Sequence, residues 1–299
     1  MIDKLEYLIA LAREQHFGRA ALECGVTQPT LSAAIKQLEQ QLGVLLVQRG
    51  ARFHGLTPEG QRVLEWARRI VGDARMMRQE MRSARVGLSG HVRIAAIPTA
   101  LAMVPQLTTP FRKRHPGVTF SVLSRTSIEI LSSLENFEID AGITYLDEEP
   151  LGRVATVPLY AERYRLITSV GNAFADRTSV TWKEASGLPL CLLTPDMQNR
   201  RIINQHLAAA GAVAHPALES NSMIVLIAHI RTGKWVSILP LNLAETLGLG
   251  PPVRAIAIVE PDATHLIGLV ANQREPHTPI VSALLAQAAG ISDMKSKRR

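Results

Sequence analysis

The sequence predicts an all-α N-terminal part, made of a winged helix-turn-helix and a long linker helix, followed by a C-terminal α/β part. Three observations carry this prediction. Residues 16–36 show a helix-glycine-helix pattern, residues 61–86 contain a single potential helix breaker, and strand patterns alternate with helical ones after residue 90. At 299 residues, of which 46% are hydrophobic, the chain is long enough for a small domain and a larger one.

Residues 16–36, HFGRAALECGVTQPTLSAAIK, predict two short helices joined by a tight turn. Gly25 can adopt the positive φ that ends the first helix, and Thr27 can cap the second. Pro29 falls in the first turn of that second helix, where its missing N–H costs nothing. The positions expected to be buried are Ala20, Ala21 and Leu22 in the first helix and Leu31, Ile35, Leu38 and Leu42 in the second.

The opposite face of the second helix carries Gln28, Ser32 and Lys36, which supply amide, hydroxyl and ammonium groups and no carboxylate. Such groups can bond to base edges or phosphates in a DNA major groove. The alternative is an ordinary solvated helix face. The next segment, LLVQRGARFHGLTPEG, predicts a two-stranded wing on which Arg49 and Arg52 suit phosphate or narrow minor-groove contacts, and this favours the DNA-binding interpretation.

Four motifs, FxRAA, TQPTLS, IxxLExxLG and LTPEG, follow one another within the first 60 residues. In order and spacing they resemble the winged helix-turn-helix of LysR-type transcriptional regulators, which would occupy residues 1–58. Many members carry a basic residue after the LS pair, where this chain has Ala33, so one base or phosphate contact is missing. The resemblance implies that Gln28, Pro29, Ser32 and Lys36 face DNA, that Thr27 and Thr30 lie near phosphates, and that Arg49 and Arg52 lie on the wing.

The charge of the chain also favours double-stranded DNA as a partner. The net charge is +7 and the sequence pI is about 9.8, which is typical of proteins that bind an acidic polymer. Residues 1–90 hold 13 Lys and Arg against 9 Asp and Glu, a net charge of +4. Residues 294–299, which include KSKRR, are expected to form a basic disordered tail.

Residues 59–86 are expected to form the linker helix, with Gly72 as the one helix breaker beyond its first turn. Apolar residues recur in it at alternating spacings of four and three, which favours a two-chain coiled coil over a helix packed only on its own domain. In LysR-type regulators this helix pairs two subunits, so the resemblance implies a homodimer or homotetramer on an inverted-repeat operator. Two glycines make residues 87–90 a hinge. The seam positions are Val63, Ala67, Ile70, Ala74, Met77, Met81 and Ala84.

Beyond the hinge, the alternation of strand and helix predicts a parallel sheet that is covered by helices on both faces. The LysR-type resemblance extends over this region more loosely and implies an effector-binding domain at residues 91–293. Its fold would be two Rossmann-like lobes of the periplasmic-binding-protein type. Lobe I would comprise residues 91–161 and 266–293, lobe II residues 162–265, and the strands that cross between them residues 162–168 and 265–270.

Ligands of such sheets bind at the carboxyl ends of the strands, beside helix N-termini. Loops rich in hydroxyl and amide side chains follow three predicted strands, and a fourth opens a further helix. Each hydroxyl alone is better explained as a helix cap. Their convergence on one cleft, with an arginine nearby, favours a small organic anion such as a carboxylate. The candidate effector-binding residues are Thr99, Ala100, Thr126, Ser127, Asn199, Arg200 and Ser222.

The segments ECGVTQPTLSAAIK, RTSIEIL and TPDMQNRRI are also similar to regulators associated with formate dehydrogenase operons. This similarity implies formate or a related carboxylate as the effector. Trp235 stands where LysR-type regulators commonly have a glycine, and it is expected to fill the core or the wall of the cleft.

Other classes of function find little support in the sequence. It contains no GxSxG, P-loop or HExxH motif, and His91, His115, His215 and His229 lack ligand spacing, so no enzyme, cofactor or metal site is expected. Asp140 is interpreted as structural. The two cysteines argue against a disulfide framework, and a peroxide sensor would be expected to need two cysteines in the sensory domain, which has Cys191 alone.

The start of the chain shows no signal peptide, and no apolar run has membrane-spanning length, so a cytoplasmic protein without membrane contact is expected. The predicted function is that of a LysR-type DNA-binding transcriptional regulator controlled by a small-molecule effector, with RNA polymerase as a further partner. The alternatives are an architectural DNA-binding protein and a solute-binding protein.

Overall fold

The computed structural model describes residues 1–48, 53–147, 150–170, 172, 174–246, 250–273 and 276–296. The chain divides into two compact units. The first comprises residues 1–86 and 135–137, and the second comprises residues 87–134 and 138–299. Among the described residues, no helix has the length and apolar character needed to cross a membrane.

The first unit is helical, as predicted. Its core is formed by apolar side chains from its helices and from Leu46 and Leu56. Two residues expected in this core lie outside it: Leu22 is 81% exposed and Leu42 is 42% exposed. The seven-residue α2 buries only Ala20 and Ala21, and Leu46, fully buried after the last turn of α3, enters the core where Leu42 was expected. The helices are α1 (Ile2–Glu14), α2 (Phe17–Glu23), α3 (Gln28–Leu42) and α4 (Pro58–Val86).

The long helix α4 confirms the predicted linker helix but corrects its seam. Its buried side chains pack on the core of the first unit, partly against α1. Ala67 and Ala74, both predicted at the seam, belong to this buried face, whereas Trp66, which was not predicted there, is 62% exposed. Helical spacing explains the difference, because one helix presents two adjacent apolar stripes. The buried stripe is Leu64, Ala67, Val71 and Ala74, and the exposed stripe is Trp66, Ile70, Met77 and Met81.

The second unit begins with β1 (Gly90–Ala96), which lies between two parallel partners, β2 (Val118–Ser124) and β3 (Ala141–Tyr145). A 3-10 helix (Pro98–Met103) and α5 (Val104–Arg114) follow β1, and α6 (Ser127–Glu135) follows β2. Ala96 pairs with both Ser124 and Ile143, so the carboxyl ends of the three strands lie side by side. The residues that follow these strands are therefore brought close together.

The sheet is mixed, which corrects the expectation of a parallel sheet. The 16-residue β4 (Val154–Ser169) runs antiparallel to β10 (Thr264–Asn272), and β10 runs antiparallel to β3. β4 also pairs with β8 (Ser237–Pro240) and β9 (Val253–Val259) of the following region, so a single strand joins both halves of the unit. Gly268 has a packing role, since a Cβ there would lie 2.7 Å from the carbonyl oxygen of Val157.

The remaining elements complete the second unit. The strand order of the main sheet is β2-β1-β3-β10-β4-β9-β5, with β8 also paired to β4, and β6 pairs with β7 in parallel. The elements are β5 (Ser179–Thr181), α7 (Trp182–Ser186), β6 (Cys191–Leu193), α8 (Gln198–Ala209), β7 (Leu218–Ser220), α9 (Met223–Arg231), β8 (Ser237–Pro240), α10 (Leu241–Thr246), β9 (Val253–Val259) and α11 (Pro279–Ser296).

Candidate DNA-binding surface and effector site

The turn between α2 and α3 has the geometry that the sequence predicted. Gly25 adopts a φ of +67°, and the N–H of Val26 donates to the carbonyl of Ala21 at 2.9 Å. Thr27 caps α3, because its Oγ1 accepts a hydrogen bond from the backbone N–H of Thr30 at 3.4 Å. The hydroxyls of Thr27 and Thr30 are also bonded to each other, at 2.8 Å. Local hydrogen bonds thus set the start of α3.

The predicted DNA-facing side of α3 is exposed. Leu31, Ile35 and Leu38 are buried on the other side of the helix. Ala33 is exposed beside the polar residues and adds no charge. The six exposed residues are Thr27, Gln28, Pro29, Thr30, Ser32 and Lys36, and they present donors, acceptors and one ammonium group without a carboxylate. This composition fits the edge of a major groove or a phosphate backbone.

The segment after α3 is held by a carboxylate that sequence reasoning had not singled out. Glu39 Oε1 accepts hydrogen bonds from the backbone N–H groups of Leu46 at 2.8 Å and Val47 at 3.1 Å. Val47 forms an antiparallel bridge with Leu56, which confirms the base of the wing. Glu39 is the glutamate of the IxxLExxLG motif, and this motif is the sequence feature that could have identified it. Arg49 and Arg52, predicted on the wing, lie outside the described residues.

The start of α4 is fixed against the same segment. Thr57 Oγ1 accepts a hydrogen bond from the N–H of Gly60 at 2.9 Å and donates one to the carbonyl of Leu45 at 2.6 Å. A Cβ at Gly60 would lie 2.1 Å from the carbonyl oxygen of Leu46, so only glycine fits this close approach. The LTPEG motif thus joins α4 to the residues that follow α3.

In the second unit, the candidate effector residues of lobe I separate into two groups. Thr99 and Ser127 are buried, and neither hydroxyl has a hydrogen-bond partner of standard geometry. Thr126 instead caps α6: its Oγ1 accepts from the N–H of Glu129 at 3.2 Å, and its own N–H donates to that carboxylate at 2.8 Å. Ala100 is fully buried, and its N–H already donates to the carbonyl of Ile97 at 2.9 Å.

The candidate residues of lobe II also differ from one another. Asn199 is 3% exposed, and its Oδ1 has no partner. Arg200 is paired through two of its guanidinium nitrogens: Nη1 donates to Glu219 Oε1 at 2.7 Å and to the Leu193 carbonyl at 2.9 Å, and Nε donates to Asn204 at 3.0 Å. These contacts do not support the expectation that this arginine binds an anion. Ser222 precedes α9, half-buried, and makes no side-chain cap.

A buried polar network that the sequence reading missed connects the two lobes. The Tyr145 hydroxyl donates to Glu162 Oε2 at 2.9 Å and lies 3.0 Å from the Tyr164 hydroxyl. Asn199 Nδ2 donates to that Tyr164 hydroxyl at 3.1 Å. The Tyr160 hydroxyl lies 3.5 Å from Glu162 Oε1, at the limit of a hydrogen bond. The overlooked signal was the alternation of tyrosine, glutamate and tyrosine on one face of β4.

Glu162 is fully buried, and its burial raises the pKa of its carboxyl to about 7. The hydroxyls of Tyr145, Thr99 and Tyr160 oppose this rise by favouring the ionised form. Burial and the neighbouring carboxylate raise the pKa values of Tyr145 and Tyr160 well above the usual range, so both phenols remain protonated donors. The network therefore contains one group that titrates near neutral pH.

The remaining residues of interest have structural roles. Asp140 Oδ2 accepts the N–H of Arg93 at 2.7 Å, which confirms its structural interpretation. Trp235 packs against the apolar core and lies edge-on to His229.

Burial raises the pKa of the Cys191 thiol to about 11, and the pKa of Cys24 is also raised, chiefly by burial. Within the described part of the chain, no three metal-binding side chains come together.

Two family models match the chain. Residues 2–61 match the bacterial regulatory helix-turn-helix protein of the lysR family, and residues 85–290 match the LysR substrate binding domain. Among curated proteins, the hydrogen peroxide-inducible genes activator of Dickeya chrysanthemi is 27% identical over 92% of this chain and 90% of its own length. The DNA-binding transcriptional dual regulator OxyR of Escherichia coli is 26% identical over 99% of each chain.

Solved structures share the fold over nearly the whole chain. A full-length OxyR variant from Pseudomonas aeruginosa superposes with a TM-score of 0.75 at 23% identity, covering 98% of this chain and 99% of that one. Full-length CbnR in complex with its target DNA gives a TM-score of 0.64 at 22% identity, covering 97% of this chain and 99% of that one.

Proposed function

The chain belongs to the LysR family of transcriptional regulators, and we propose that it binds double-stranded DNA through α3 and responds to a small molecule bound in its C-terminal unit. The family consists of regulators and not of enzymes. The observation that carries the proposal is the exposed polar side of α3, which holds no carboxylate while its opposite side is buried. The architectural and solute-binding alternatives do not account for both matched domains.

The placement of α3 supports DNA reading. Gln28, Ser32 and Lys36 lie one turn apart on its exposed side, which is the spacing that lets a single helix follow successive base pairs in a major groove. CbnR, whose fold this chain shares, is described in complex with its target DNA. Ala33 leaves base reading to these three side chains.

The exposed apolar stripe of α4 supports a dimer. Trp66, Ile70, Met77 and Met81 are 40–62% exposed and follow the helical repeat along one side of the helix. A stripe of large apolar side chains is unfavourable in water and is typical of a helix-helix interface. We infer a homodimer, or a homotetramer built from two such pairs, whose two reading helices occupy the half-sites of an inverted-repeat operator. RNA polymerase is the expected partner of such a regulator at a promoter.

The named relatives, the buried Cys191 and the paired Arg200 all bear on the kind of effector. Several relatives are named for induction by hydrogen peroxide. A thiol-based response is disfavoured here, because Cys191 is buried and its thiol is harder to ionise than usual. Formate or a related carboxylate, implied by the similarity to regulators of formate dehydrogenase operons, draws no support from these relatives. The pairing of Arg200 with Glu219 also weighs against it.

The direct experiment is binding of the full-length protein to the promoter fragment next to its own coding sequence. Gln28→Ala and Ser32→Ala are expected to weaken binding at least tenfold, since each removes a base-reading group. Gln37→Ala is the matched control, because Gln37 is exposed on a different side of α3. If Gln28→Ala and Gln37→Ala bind with the same affinity as the unmodified protein, α3 is not the reading helix.

A further inference from the structure

A directional chain of hydrogen bonds runs through the buried network. An amide nitrogen can only donate, so Asn199 Nδ2 donates to the Tyr164 hydroxyl, 3.1 Å away. An ionised carboxylate can only accept, so the Tyr145 hydroxyl donates to Glu162, 2.9 Å away. The remaining link, 3.0 Å between the two phenols, must then run from Tyr164 to Tyr145. Every donor in the chain points towards Glu162.

Because every donor points towards Glu162, the other end of the hydrogen-bond chain, at Asn199, is left with hydrogen-bond acceptors. The amide hydrogens of Asn199 face Tyr164, while its Oδ1 is buried without a partner among the described residues. The buried hydroxyl of Ser127 is unpartnered as well, and the Thr99 hydroxyl, which faces Glu162, has no partner of standard geometry; each oxygen has two lone pairs that can accept. Buried polar atoms of native proteins are nearly always paired, so these three acceptors are candidates for a bound partner with donors of its own.

The charge around the network points the same way. The groups that face Glu162 are the hydroxyls of Tyr145 and Thr99, those of Tyr160 and Tyr164 on its own strand, and His265, its register partner on β10. His265 lies 3.0 Å, Nε2 to Nε2, from His206 of α8. Arg200, next to Asn199 in the chain, donates hydrogen bonds from its guanidinium to Glu219 and to a backbone carbonyl. An anion in this site would meet a buried carboxylate, and Arg200 is already paired with another carboxylate.

We propose that the effector is a small hydroxyl- or amino-bearing molecule without net negative charge, whose donors bind Asn199 Oδ1 and the hydroxyls of Thr99 and Ser127. The inference rests on the proposed effector-controlled function and names its ligand class. Thr99 and Ser127 follow the strand ends of lobe I, whereas Asn199 lies at the start of α8 in lobe II. One molecule with two or more donors would therefore join the lobes.

The test is calorimetric titration of the full-length protein with pairs of probes that differ in charge at nearly constant size. Suitable pairs are formamide and formate, acetamide and acetate, ethylene glycol and glycolate, and glycerol and glycerate. In at least one pair the neutral member is expected to bind saturably, and at least tenfold more tightly than its anionic partner. Tighter binding of the anionic members, or no saturable binding of any probe, would overturn the ligand class.

Two variants locate the binding. Ser127→Ala removes a hydroxyl that has no partner in the protein, so it should weaken the probe at least fivefold without lowering the melting temperature of the free protein. Asn199→Leu should abolish binding, whereas Gln205→Leu, a similar change at an exposed position of α8, should leave it intact. Unchanged probe affinity in Ser127→Ala, in which folding is not at risk, counts against the assigned site.

DNA binding is measured on the same samples, so that a failure of the proposed function can be distinguished from a failure of the proposed ligand class. An unmodified protein that fails to bind its promoter fragment contradicts the proposed function. A protein that binds DNA and yet prefers carboxylates contradicts only the ligand class.

Discussion

Glu39 and Leu46 link the proposed reading helix to the segment that follows it: the carboxylate of Glu39 accepts the backbone N–H of Leu46 at 2.8 Å. The same oxygen accepts the N–H of Val47 at 3.1 Å. One charged side chain thus accepts hydrogen bonds from two backbone N–H groups that lie just after the C-terminal end of α3. Charge-assisted bonds of this kind are stronger than neutral ones. The position of α3 relative to the wing depends on this carboxylate.

Replacement of Glu39 should destabilise the DNA-binding unit. In Glu39→Ala both N–H groups lose their acceptor, and we expect the free energy of unfolding to fall by about 1–3 kcal/mol. DNA affinity should fall as well, because the hydrogen bonds that join α3 to the start of the wing are lost. Chemical denaturation followed by circular dichroism measures the first effect. Gln40→Ala, at the next and exposed position, serves as the control, and equal stability of the two variants would refute the anchoring role.

The salt dependence of DNA binding should report the charge on α3. Each phosphate contact releases condensed cations, so the affinity falls steeply as the salt concentration rises. Lys36→Gln is expected to reduce the slope of log K against log salt concentration by roughly 1 if Lys36 contacts a phosphate. Lys113→Gln removes an exposed charge of α5 in the other unit and should not alter the slope. Equal slopes for all three proteins would remove Lys36 from the phosphate contacts.

A charge on the exposed stripe of α4 should dissociate the proposed dimer. Ile70→Asp places a carboxylate among Trp66, Met77 and Met81, where burial in a helix-helix interface would be costly. Sedimentation velocity should show the mass of a single chain at micromolar concentrations. Gln61→Asp introduces the same charge on a different side of α4 and should preserve the oligomer. An unchanged mass for Ile70→Asp would place the interface elsewhere.

Glu162 should make the stability of the protein depend on pH. Its pKa is about 7 in the folded protein and 4.5 as the unperturbed value, so the folded state holds the proton more tightly. Stability is therefore greatest below pH 4.5, falls as the pH rises towards 7, and is constant above that, as far as this group is concerned. Glu162→Gln mimics the protonated form. It should be more stable than the unmodified protein by about 3 kcal/mol at pH 8.

The difference between Glu162→Gln and the unmodified protein should shrink as the pH is lowered towards 5. Thermal unfolding at pH 5, 6, 7 and 8 measures this trend. Glu219→Gln is a useful comparison, since Glu219 lies on β7 with a partly exposed side chain and pairs with Arg200 of α8. A difference that is the same at every pH would mean that Glu162 does not titrate with folding.

Cys191 should be unreactive in the folded protein. Burial removes it from solvent and raises its pKa to about 11, so little thiolate forms at neutral pH. Alkylation by iodoacetamide at pH 8, followed by mass spectrometry of peptides, should label Cys191 only after denaturation. Rapid labelling of the native protein at Cys191 would reopen a thiol-based response.

The features that the sequence predicted correctly are local ones. The cap at Thr27, the buried side of α3 and the extent of α4 follow from spacings of a few residues, and Leu31, Ile35 and Leu38 needed no knowledge of a partner. Leu42 has the same spacing and is nevertheless exposed, because burial depends on which neighbour covers a position. The exposed side of α3, which carries the proposed DNA-facing residues, could therefore be located from the sequence alone.

The features that the sequence did not predict depend on long-range contacts. The antiparallel pairing of β4 with β10 joins residues about a hundred positions apart, and helix-strand alternation does not report strand direction. Arg200 was expected to be available because its partner Glu219 lies on a different element. Glu162 resembles an ordinary solvent-facing residue of a strand until Tyr145 and Tyr164 are seen to cover it.

The close approach of Gly60 to the Leu46 carbonyl makes the first half of α4 a fixed part of the DNA-binding unit. Leu64, Ala67, Val71 and Ala74 continue that attachment, and Val86 ends the helix 12 residues later. At 1.5 Å per residue this extension is a lever of about 18 Å. A turn of α4 about its own axis would move α3 with it as one rigid piece. In the proposed dimer, such a rotation would change the spacing of the two proposed reading helices without unfolding of α4.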